Sequence, residues 1–415
     1  MNILNQVLTN LPIRKTQSTF LNLLCALILA IPGRINYANL ERFSHQTEKT
    51  FRNWAEKPIE WVHIAAGVVQ TLQTHKRMGS RSSLARTARP CVKQASTRLE
   101  LRNSGIPNLV KPFQVWNSVA ALDHKTHLTG MVATLIDLEH RQAIPVHARQ
   151  TPSVLPAGET RVDHYVGHVQ DVLGTLPAYL HAQVECVAGD AYYSKKTFVD
   201  GVNRAGLAFV GKLRVDANLK YRYTGSRTGK PGRPKQFDGK VDWKDFSKWD
   251  LISSDEQQTV YSSVLYAPAL KKDIRVVCIL WQFNGQIRRE VLFSTNLEMP
   301  ASEVIECYRA RFEMEFPFRD SKQFAGLMDS QSRSGQALEF AWNASFLTVS
   351  LARAQQLLAF EGDAIDFVFS MEDSKRRAYN ELFADRIIRL LPVGLSLDKC
   401  LALVEKALNL GVKAA

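Results

Sequence analysis

One segment of the chain, ECYRARFEMEFPFRDSK at residues 306–322, carries side chains that could act together on a phosphate group. Tyr308, Arg311, Glu315 and Lys322 follow one another at intervals of 3, 4 and 7 residues. At about 100° per residue, one straight helix would bring all four within an arc of about 60°. A carboxylate on such a face could bind a metal ion while the cations grip phosphate oxygens. A solvated charged stripe has the same pattern, so spacing alone leaves both interpretations open.

A second acid stands where a strand should end. The segment HAQVECVAGD, residues 181–190, has the apolar run of a buried strand and finishes on Asp190. The carboxyl ends of parallel strands line the crevices in which α/β proteins bind ligands, so Asp190 is a candidate metal ligand. Its alternative role is to cap the helix that the sequence predicts at 194–205.

The composition of the chain is that of a folded, basic protein. Lysine and arginine outnumber aspartate and glutamate by 53 to 40, and the formal net charge is +13. That balance suits a polyanionic partner, although net charge by itself does not identify one. The six cysteines include no C-x-x-C pair, which argues against a disulfide framework and a structural zinc site and fits a reducing cytoplasm.

The longest apolar run, FLNLLCALILAIP at residues 20–32, is too short to span a bilayer, which needs about 20 residues. It lacks the small-residue cleavage pattern of a signal peptide, so a buried helix is the favoured interpretation. The whole of 1–75 has helical periodicity. Two roles stay open for this region: a helix-turn-helix-like DNA-binding module, or a helical cap on the core.

From Leu128 onward the pattern changes to a mixed α/β protein. A hairpin is predicted at 128–149, a helix at 160–181, and a parallel strand–helix–strand unit at 181–215. Alternating strands fill 216–297, with a turn at Asn284-Gly285. One long helix is predicted at 301–325. We therefore divide the chain into 1–75, 76–215, 216–300, 301–360 and 361–415, in which 76–114 is anomalous and 361–415 is helical.

The residues at 308–322 resemble the YREK motif of the insertion-sequence-four family of DDE-class transposases, and all four positions match. VAGDAYYSKKTFVDGV, around Asp190, resembles the second catalytic block of that family. The phrases RPKQFDGKV and FRDSKQFAGLMDSQSRS are also similar to family sequences. The resemblance runs from about Leu128 to Arg353, and more weakly across the first 75 residues.

This resemblance implies a ribonuclease-H-like core with an antiparallel β insertion before the last catalytic helix. The family uses two Asp and one Glu to hold two divalent ions, Mg²⁺ or Mn²⁺, for cut-and-paste transposition. Asp190 matches the second Asp and Glu315 the Glu, so their carboxylates should lie within about 4 to 8 Å of each other. Tyr308, Arg311 and Lys322 match positions that contact transposon-end phosphates. The implied partners are double-stranded DNA ends and target DNA, bound by a homodimer in the cytoplasmic nucleoid without a membrane.

The sequence departs from the family at the first catalytic Asp, which should lie on the strand before the hairpin. No Asp occurs between Lys76 and Leu122, and Gln94 stands at the position that the resemblance assigns to it. Glu100 is the only acid nearby. Asp123 comes too late in the chain, and Asp137 lies at the hairpin turn, where bonding of the turn backbone is the expected role.

Residues 76–112 carry nine basic residues against one acid, a net charge of +8, without clear periodicity. Two explanations stay open: translation in a shifted frame, which would remove the first strand with its acid, or a real basic loop. They separate two functions, an active transposase and a non-catalytic DNA-binding relic of one. A hydrolytic nuclease with the same core is a third, which the four-residue motif disfavours.

A second basic segment spans 220–240 and has seven basic residues against one acid. Its PGRPK stretch is slim enough for the DNA minor groove, so Lys230, Arg233 and Lys235 are candidate DNA contacts, with a solvated loop as the alternative. Trp243, Trp249 and Trp281 are predicted to pack in the core rather than to stack on bases.

Overall fold

The computed structural model of the chain describes residues 2–9, 11, 13–78, 113–123, 128–226 and 234–390. Four residues singled out above, Gln94, Glu100, Lys230 and Arg233, lie outside the described residues, as do most of the anomalous segment and residues 391–415.

The described residues before position 79 are mainly helical, as their periodicity predicts. The helices are α1 (Asn2–Thr9), α2 (Lys15–Ala30), α3 (Tyr37–Arg42), α4 (Glu48–Ala55) and α5 (Trp61–Thr74). Phe20, Leu24 and Leu27 of α2 are buried, which confirms the buried-helix interpretation of the apolar run. None of the helices in the described ranges is long and apolar enough to cross a membrane.

The strands of the central sheet are β1 (Phe113–Asp123), β2 (Leu128–Asp137), β3 (Gln142–Gln150), β4 (Val184–Gly189) and β5 (Ala208–Leu213). They lie side by side in the order β3-β2-β1-β4-β5. β1, β2 and β3 are antiparallel neighbours, and β1, β4 and β5 run parallel. The helices α6 (Arg161–Thr175) and α7 (Ala178–His181) connect β3 to β4, and α8 (Lys196–Arg204) connects β4 to β5. The predicted hairpin and parallel unit are confirmed.

The first strand that the structure describes is β1, whereas the segment in which a shifted frame would remove a strand lies almost entirely outside the described residues. β1 pairs with β2 from Phe113↔Asp137 to Asp123↔Leu128 and with β4 from Phe113↔Val184 to Trp116↔Ala188. The strand begins just after the acid-poor segment, in the stretch FQVWNSVAALD. Its apolar and β-branched residues suit a central strand with a neighbour on each side.

The β-rich region continues the same sheet. Its strands are β6 (Lys220–Arg222), β7 (Phe237–Lys240), β8 (Asp250–Ser254), β9 (Gln258–Ala267), β10 (Lys272–Phe283) and β11 (Gln286–Ser294). β11 joins the region to the central sheet by pairing antiparallel with β5. Asn284 and Gly285 both have positive φ in the turn between β10 and β11, as predicted. The structure describes no helix between β6 and β11.

The helix predicted at 301–325 is interrupted, so that prediction was wrong. α9 (Ala301–Arg309) is followed by a 3-10 segment at Ala310–Met314 and then by α10 (Glu315–Phe324). Pro317 supplies the physical reason, because it has no N–H to bond the carbonyl of Glu313 and its ring crowds that carbonyl. The projection of four side chains onto one straight helix therefore does not apply.

Two further helices, α11 (Gly335–Ala359) and α12 (Met371–Leu390), complete the described chain. α11 covers the edge strand β3 and bonds its backbone. Asn343 accepts from the Ala148 N–H and donates to the Ala148 carbonyl, both at 2.8 Å, and Glu339 accepts from the Gln150 N–H at 2.9 Å. These side chains satisfy groups that a bare edge strand would expose.

Strands β2, β3, β4 and β5 of the central sheet are largely buried on both faces. One face, with Leu135, Val187 and Phe209, shares a core with α1, α2, α5, α6 and α11. The other face, with Cys186, Ala188 and Val210, packs against α9, where the Cys186 and Cys307 sulfurs lie 3.9 Å apart. The N-terminal helices thus form part of the main core, which fits the helical-cap interpretation of that region.

Candidate functional site

Asp190 directly follows the last residue of β4, at the carboxyl edge of the parallel strands. Its Oδ1 accepts a hydrogen bond of 2.8 Å from the Tyr192 N–H. The side chain therefore caps the 3-10 turn Ala191–Tyr193, and not the helix at 194–205 that sequence suggested. α8 begins instead after Lys195, without a side-chain cap. The bond engages one carboxylate oxygen and orients the group at a partly exposed position.

Tyr308, on α9, lies close enough to Asp190 for the two groups to interact electrostatically. Tyr308 is only 5% exposed. Burial, together with the negative charges of Glu290 and Asp190, raises the pKa of Tyr308 to about 12, against the opposing effect of Arg311. The phenol therefore keeps its proton at neutral pH and can donate a hydrogen bond at this edge.

Arg311 links Tyr308 to Glu315. Its guanidinium donates to the Tyr308 oxygen and approaches Glu315 Oε1 at 3.5 Å. The Arg311 side chain is 22% exposed and that of Glu315 is 61% exposed, so the pair lies at the protein surface. A pair this long and this exposed contributes little stability.

Lys322 is exposed on α10, seven residues beyond Glu315 and thus about 10 Å further along the helix. In the structure, Asp190 lies near Tyr308, Tyr308 contacts Arg311, and Arg311 approaches Glu315. Lys322 lies further along α10. The approach of the Asp190 and Glu315 carboxylates to within about 4 to 8 Å stays a prediction.

The described donors do not complete a two-ion metal site. No three His, Cys, Asp or Glu side chains in the described part of the chain come together as a cation site. Glu290, the other acid that influences Tyr308, already forms an ion pair of 2.7 Å with Lys212. Asp190 and Glu315 are the two described carboxylates that the sequence resemblance assigns to a metal site.

The structure also places the two other acids considered for the missing ligand. Asp137 pairs with Phe113, at the start of β1, and so lies at the opposite edge of the sheet from Asp190. It accepts from the Glu139 N–H at 3.0 Å, which confirms its predicted role in the turn. Asp123 ends β1 beyond the region that pairs with β4, as its late position in the chain suggested.

Two residues beside Asp190 were missed by the sequence analysis. Tyr192 is 40% exposed, and the Lys195 ammonium lies 4.0 Å from the centre of its ring. Both occur in the segment AYYSKK that carries the family resemblance. The signal was present there, but a tyrosine and a lysine on a loop show no periodicity that would single them out.

The basic segment at 220–240 offers fewer described candidates for DNA contact. Lys235 forms a 2.8 Å ion pair with Asp238, so this cation already has a partner. Lys230 and Arg233 lie outside the described residues. Trp249 is 6% exposed, and Trp243 and Trp281 pack partly buried against the core, which confirms the prediction for all three.

Comparison with known proteins bears on the same region. Residues 162–351, which include Asp190 and the segment 308–322, match the profile of the transposase DDE domain. This match supports a DDE-type transposase. A search of curated protein sequences finds no match.

Among solved structures, the chain is similar to a piggyBac transposase synaptic complex with hairpin DNA, at 8% identity and a TM-score of 0.39. That alignment covers 98% of this chain and 81% of the other. At this TM-score the likeness supports no conclusion about the function of this chain.

Proposed function

We propose that this protein is a DDE-type transposase of the YREK-bearing insertion-sequence-four group that binds double-stranded DNA at transposon ends, and that its metal-dependent strand cleavage is impaired. The observation that carries the proposal is the placement of Arg311 between Tyr308 and Glu315, beside Asp190. It lies within the segment that matches the transposase DDE domain.

The topology supports a ribonuclease-H-like core. Three antiparallel strands, β1 to β3, precede two strands parallel to β1, and Asp190 follows the first of these two. The antiparallel strands β6 to β11 stand between that core and the helix that carries Glu315, where the family resemblance expects a β insertion.

The same residues offer a grip on a DNA phosphate. Arg311 carries a planar guanidinium with five N–H groups, a geometry that suits phosphate oxygens. The protonated Tyr308 adds an O–H donor, and Lys322 adds an exposed charge further along α10. Charge-assisted bonds of this kind are about twice as strong as neutral ones.

The divalent ions that the family implies, Mg²⁺ or Mn²⁺, would be held by Asp190 and Glu315. A hard cation is held chiefly by ionised oxygens, and Gln94, at the position that the resemblance assigns to the first Asp, offers only a neutral carbonyl. We therefore propose DNA binding with little or no Mg²⁺-dependent cleavage. In the limiting case the chain is a non-catalytic DNA-binding relic, and the lack of any Asp between Lys76 and Leu122 is the sequence feature that favours this second candidate.

Two assays test the proposal. DNA fragments that flank the coding sequence of the chain should be retarded in a gel-shift assay more strongly than unrelated DNA of equal length. Cross-linking of that complex should show two chains, since paired-end chemistry suggests a homodimer on DNA in the nucleoid. Equal retardation of both DNAs would contradict end recognition.

The second assay is plasmid nicking with Mg²⁺ or Mn²⁺. Little or no cleavage by the unmodified chain is expected. Robust cleavage that Asp190→Ala abolishes would show that a third ligand is present after all, and would overturn the impaired-cleavage part of the proposal while leaving DNA binding intact.

A further inference from the structure

The helix α10, which carries Glu315 and Lys322, ends directly against the N-terminal region of the chain. It finishes at Phe324, and Gly326 follows with a φ of +69°, in a turn that favours glycine. A Cβ added at Gly326 would come within 2.4 Å of Ile35 Cβ, so this turn has no room for a side chain. The last turn of α10 is therefore packed on the segment that follows α2.

One lysine bonds both of the helix ends that meet there. Lys375, on α12, donates from its ammonium to the Phe324 carbonyl at 2.7 Å and to the Ile28 carbonyl at 3.0 Å. Ile28 lies in the last turn of α2, and Phe324 is the last residue of α10. The carbonyls of a last turn lack donors within their helix and carry the negative end of its dipole, so a cation between two such ends stabilises both. We call these three residues the helix junction.

The sequence explains why Ile28 takes its donor from another helix. In an uninterrupted helix the Ile28 carbonyl would accept from the residue four positions later, which is Pro32. Proline has no backbone N–H, so that donor does not exist. Lys375 supplies the hydrogen bond that α2 cannot make for itself.

The helix that carries Lys375 is itself fixed at its start. Gln356 of α11 donates from Nε2 to the Ser370 carbonyl at 2.8 Å and to Ser374 Oγ at 2.6 Å. Ser374 directly precedes Lys375 in the chain. The lysine therefore extends into the helix junction from a backbone that is held in place by α11.

Asp329 adds a second connection between the two segments. Its Oδ2 accepts from the Ile35 N–H at 2.7 Å, and its Oδ1 lies 3.7 Å from Arg34 Nε. Burial lowers the pKa of Lys375 to about 8, and the nearby charge of Asp329 acts in the opposite direction. Lys375 is thus charged at neutral pH and spends that charge inside the protein.

We infer that Lys375 is a positioning residue for DNA binding: it fixes the last turn of α10 against α2 and thereby places Lys322 for its phosphate contact. Lys322 lies only two residues before Phe324, whereas Arg311 precedes α10 altogether, so the effect should fall on Lys322. The inference rests on the proposed function, because that function is what gives Lys322 a phosphate to contact.

The first experiment measures the salt dependence of DNA binding by the full chain, with the DNA fragments that flank its coding sequence. Lys375→Met removes the charge and the donors but keeps an unbranched side chain of similar length. It should reduce the salt slope by up to about 1, the value for one lost phosphate contact. Lys375→Arg keeps the charge and the N–H donors, so it should restore most of the slope.

A double variant separates positioning from a general loss of stability. If Lys375 acts through Lys322, then Lys375→Met combined with Lys322→Ala should have the affinity and slope of Lys322→Ala alone, since one contact is lost only once. Arg376→Ala is the matched control, because it removes the next positive charge of α12 and no bond of the helix junction. It should leave the effect of Lys322→Ala unchanged. Additive losses from Lys375→Met and Lys322→Ala, or an unchanged slope in folded Lys375→Met, would overturn the inference.

Hydrogen exchange without DNA tests the positioning itself. The Ala325 and Leu327 N–H groups both bond the Ser321 carbonyl and close the last turn of α10. They should exchange faster in Lys375→Met than in the unmodified chain, and at the unmodified rate in Arg376→Ala.

The two measurements distinguish a failure of the inference from a failure of the proposed function. Unchanged exchange at Ala325 and Leu327 in Lys375→Met would overturn the inference. Faster exchange together with an unchanged slope in Lys322→Ala would overturn the phosphate contact of the proposed function, and with it the DNA-binding part of the inference.

If Lys375→Met does not fold, Lys375→Gln decides the question. Its amide keeps a polar group in the helix junction, but it has no charge and its nitrogen lies one bond nearer the backbone. Faster exchange at Ala325 and Leu327 and a lower salt slope are expected. Values equal to those of the unmodified chain would overturn the inference.

Discussion

Two edges of the sheet each hold an aspartate at the end of a strand, and they differ in what surrounds it. At the β2–β3 turn, Asp137 is 2% exposed and bonds the Glu139 N–H and His140 Nδ1, the latter at 2.7 Å. At the opposite edge, Asp190 is partly exposed and accepts from the Tyr192 N–H. Groups that can bind a ligand, Tyr308, Arg311 and Glu315, lie beyond it.

The difference separates a structural acid from a functional candidate. A buried carboxylate is tolerated when its oxygens are bonded within the protein, and such a group has little capacity left for a ligand. The Asp190 edge is instead open and lined with donors. Residue type and strand position are the same in both cases, so the surroundings decide the role.

The largest expected effect is on stability. Asp137→Ala should lower the free energy of unfolding by about 3 to 5 kcal/mol, because it breaks a buried pair and leaves His140 without its partner. Asp190→Ala should cost about 1 kcal/mol, the loss of one cap. Urea denaturation of the two variants measures both values. Equal losses would show that the two edges do not differ as described.

The Asp137 edge should also respond to pH. Burial opposes the charged form of His140, but the hydrogen bond and charge of Asp137, with Glu139 and Asp363, outweigh it and raise the pKa of His140 above 6.5. A raised folded pKa gives stability that is complete below the unfolded pKa and is lost as pH rises through the folded one.

The difference in unfolding free energy between the unmodified chain and His140→Gln should therefore shrink as pH rises above about 6.5, by at most about 1.4 kcal/mol per pH unit. Urea denaturation across this range measures it. A difference that grows with pH would contradict the assigned direction.

At the Asp190 edge, DNA binding should be the sensitive property. Arg311→Ala and Lys322→Ala should each weaken binding of the cognate DNA and reduce the salt slope by about 1 per lost phosphate contact. Arg376→Ala is a suitable control, because Arg376 is an exposed arginine of α12 that pairs with Glu372. Gel-shift titrations at several salt concentrations give the slopes. A slope unchanged in Arg311→Ala would place this side chain away from DNA.

The smallest effect concerns Lys195 and Tyr192. Lys195→Ala should weaken DNA binding modestly. Loss of the contact between the Lys195 ammonium and the Tyr192 ring should lower the free energy of unfolding by less than about 1 kcal/mol. Lys248→Ala is matched to it, because the Lys248 ammonium lies 4.9 Å from the Tyr221 ring within the β extension. If both variants bind DNA equally well, the Asp190 edge has no special role for Lys195.

The sequence by itself determined the elements with a strong local signal. The apolar spacing around Phe20 and Leu24 predicted a buried helix, the alternation at 128–149 predicted a hairpin, and Asn284-Gly285 predicted a turn, since each depends on contacts within a few residues. It also singled out Asp190, Tyr308, Arg311, Glu315 and Lys322, through residue type and motif spacing.

Other features required the tertiary structure. β1 follows an acid-poor segment without periodicity, and its place between β2 and β4 depends on pairing with residues 71 positions away, as in Phe113↔Val184. The break before Glu315 depends on Pro317, whose effect a projection at constant angle cannot include. Local patterns cannot specify which strands become neighbours, because that choice is made by burial of the whole sheet.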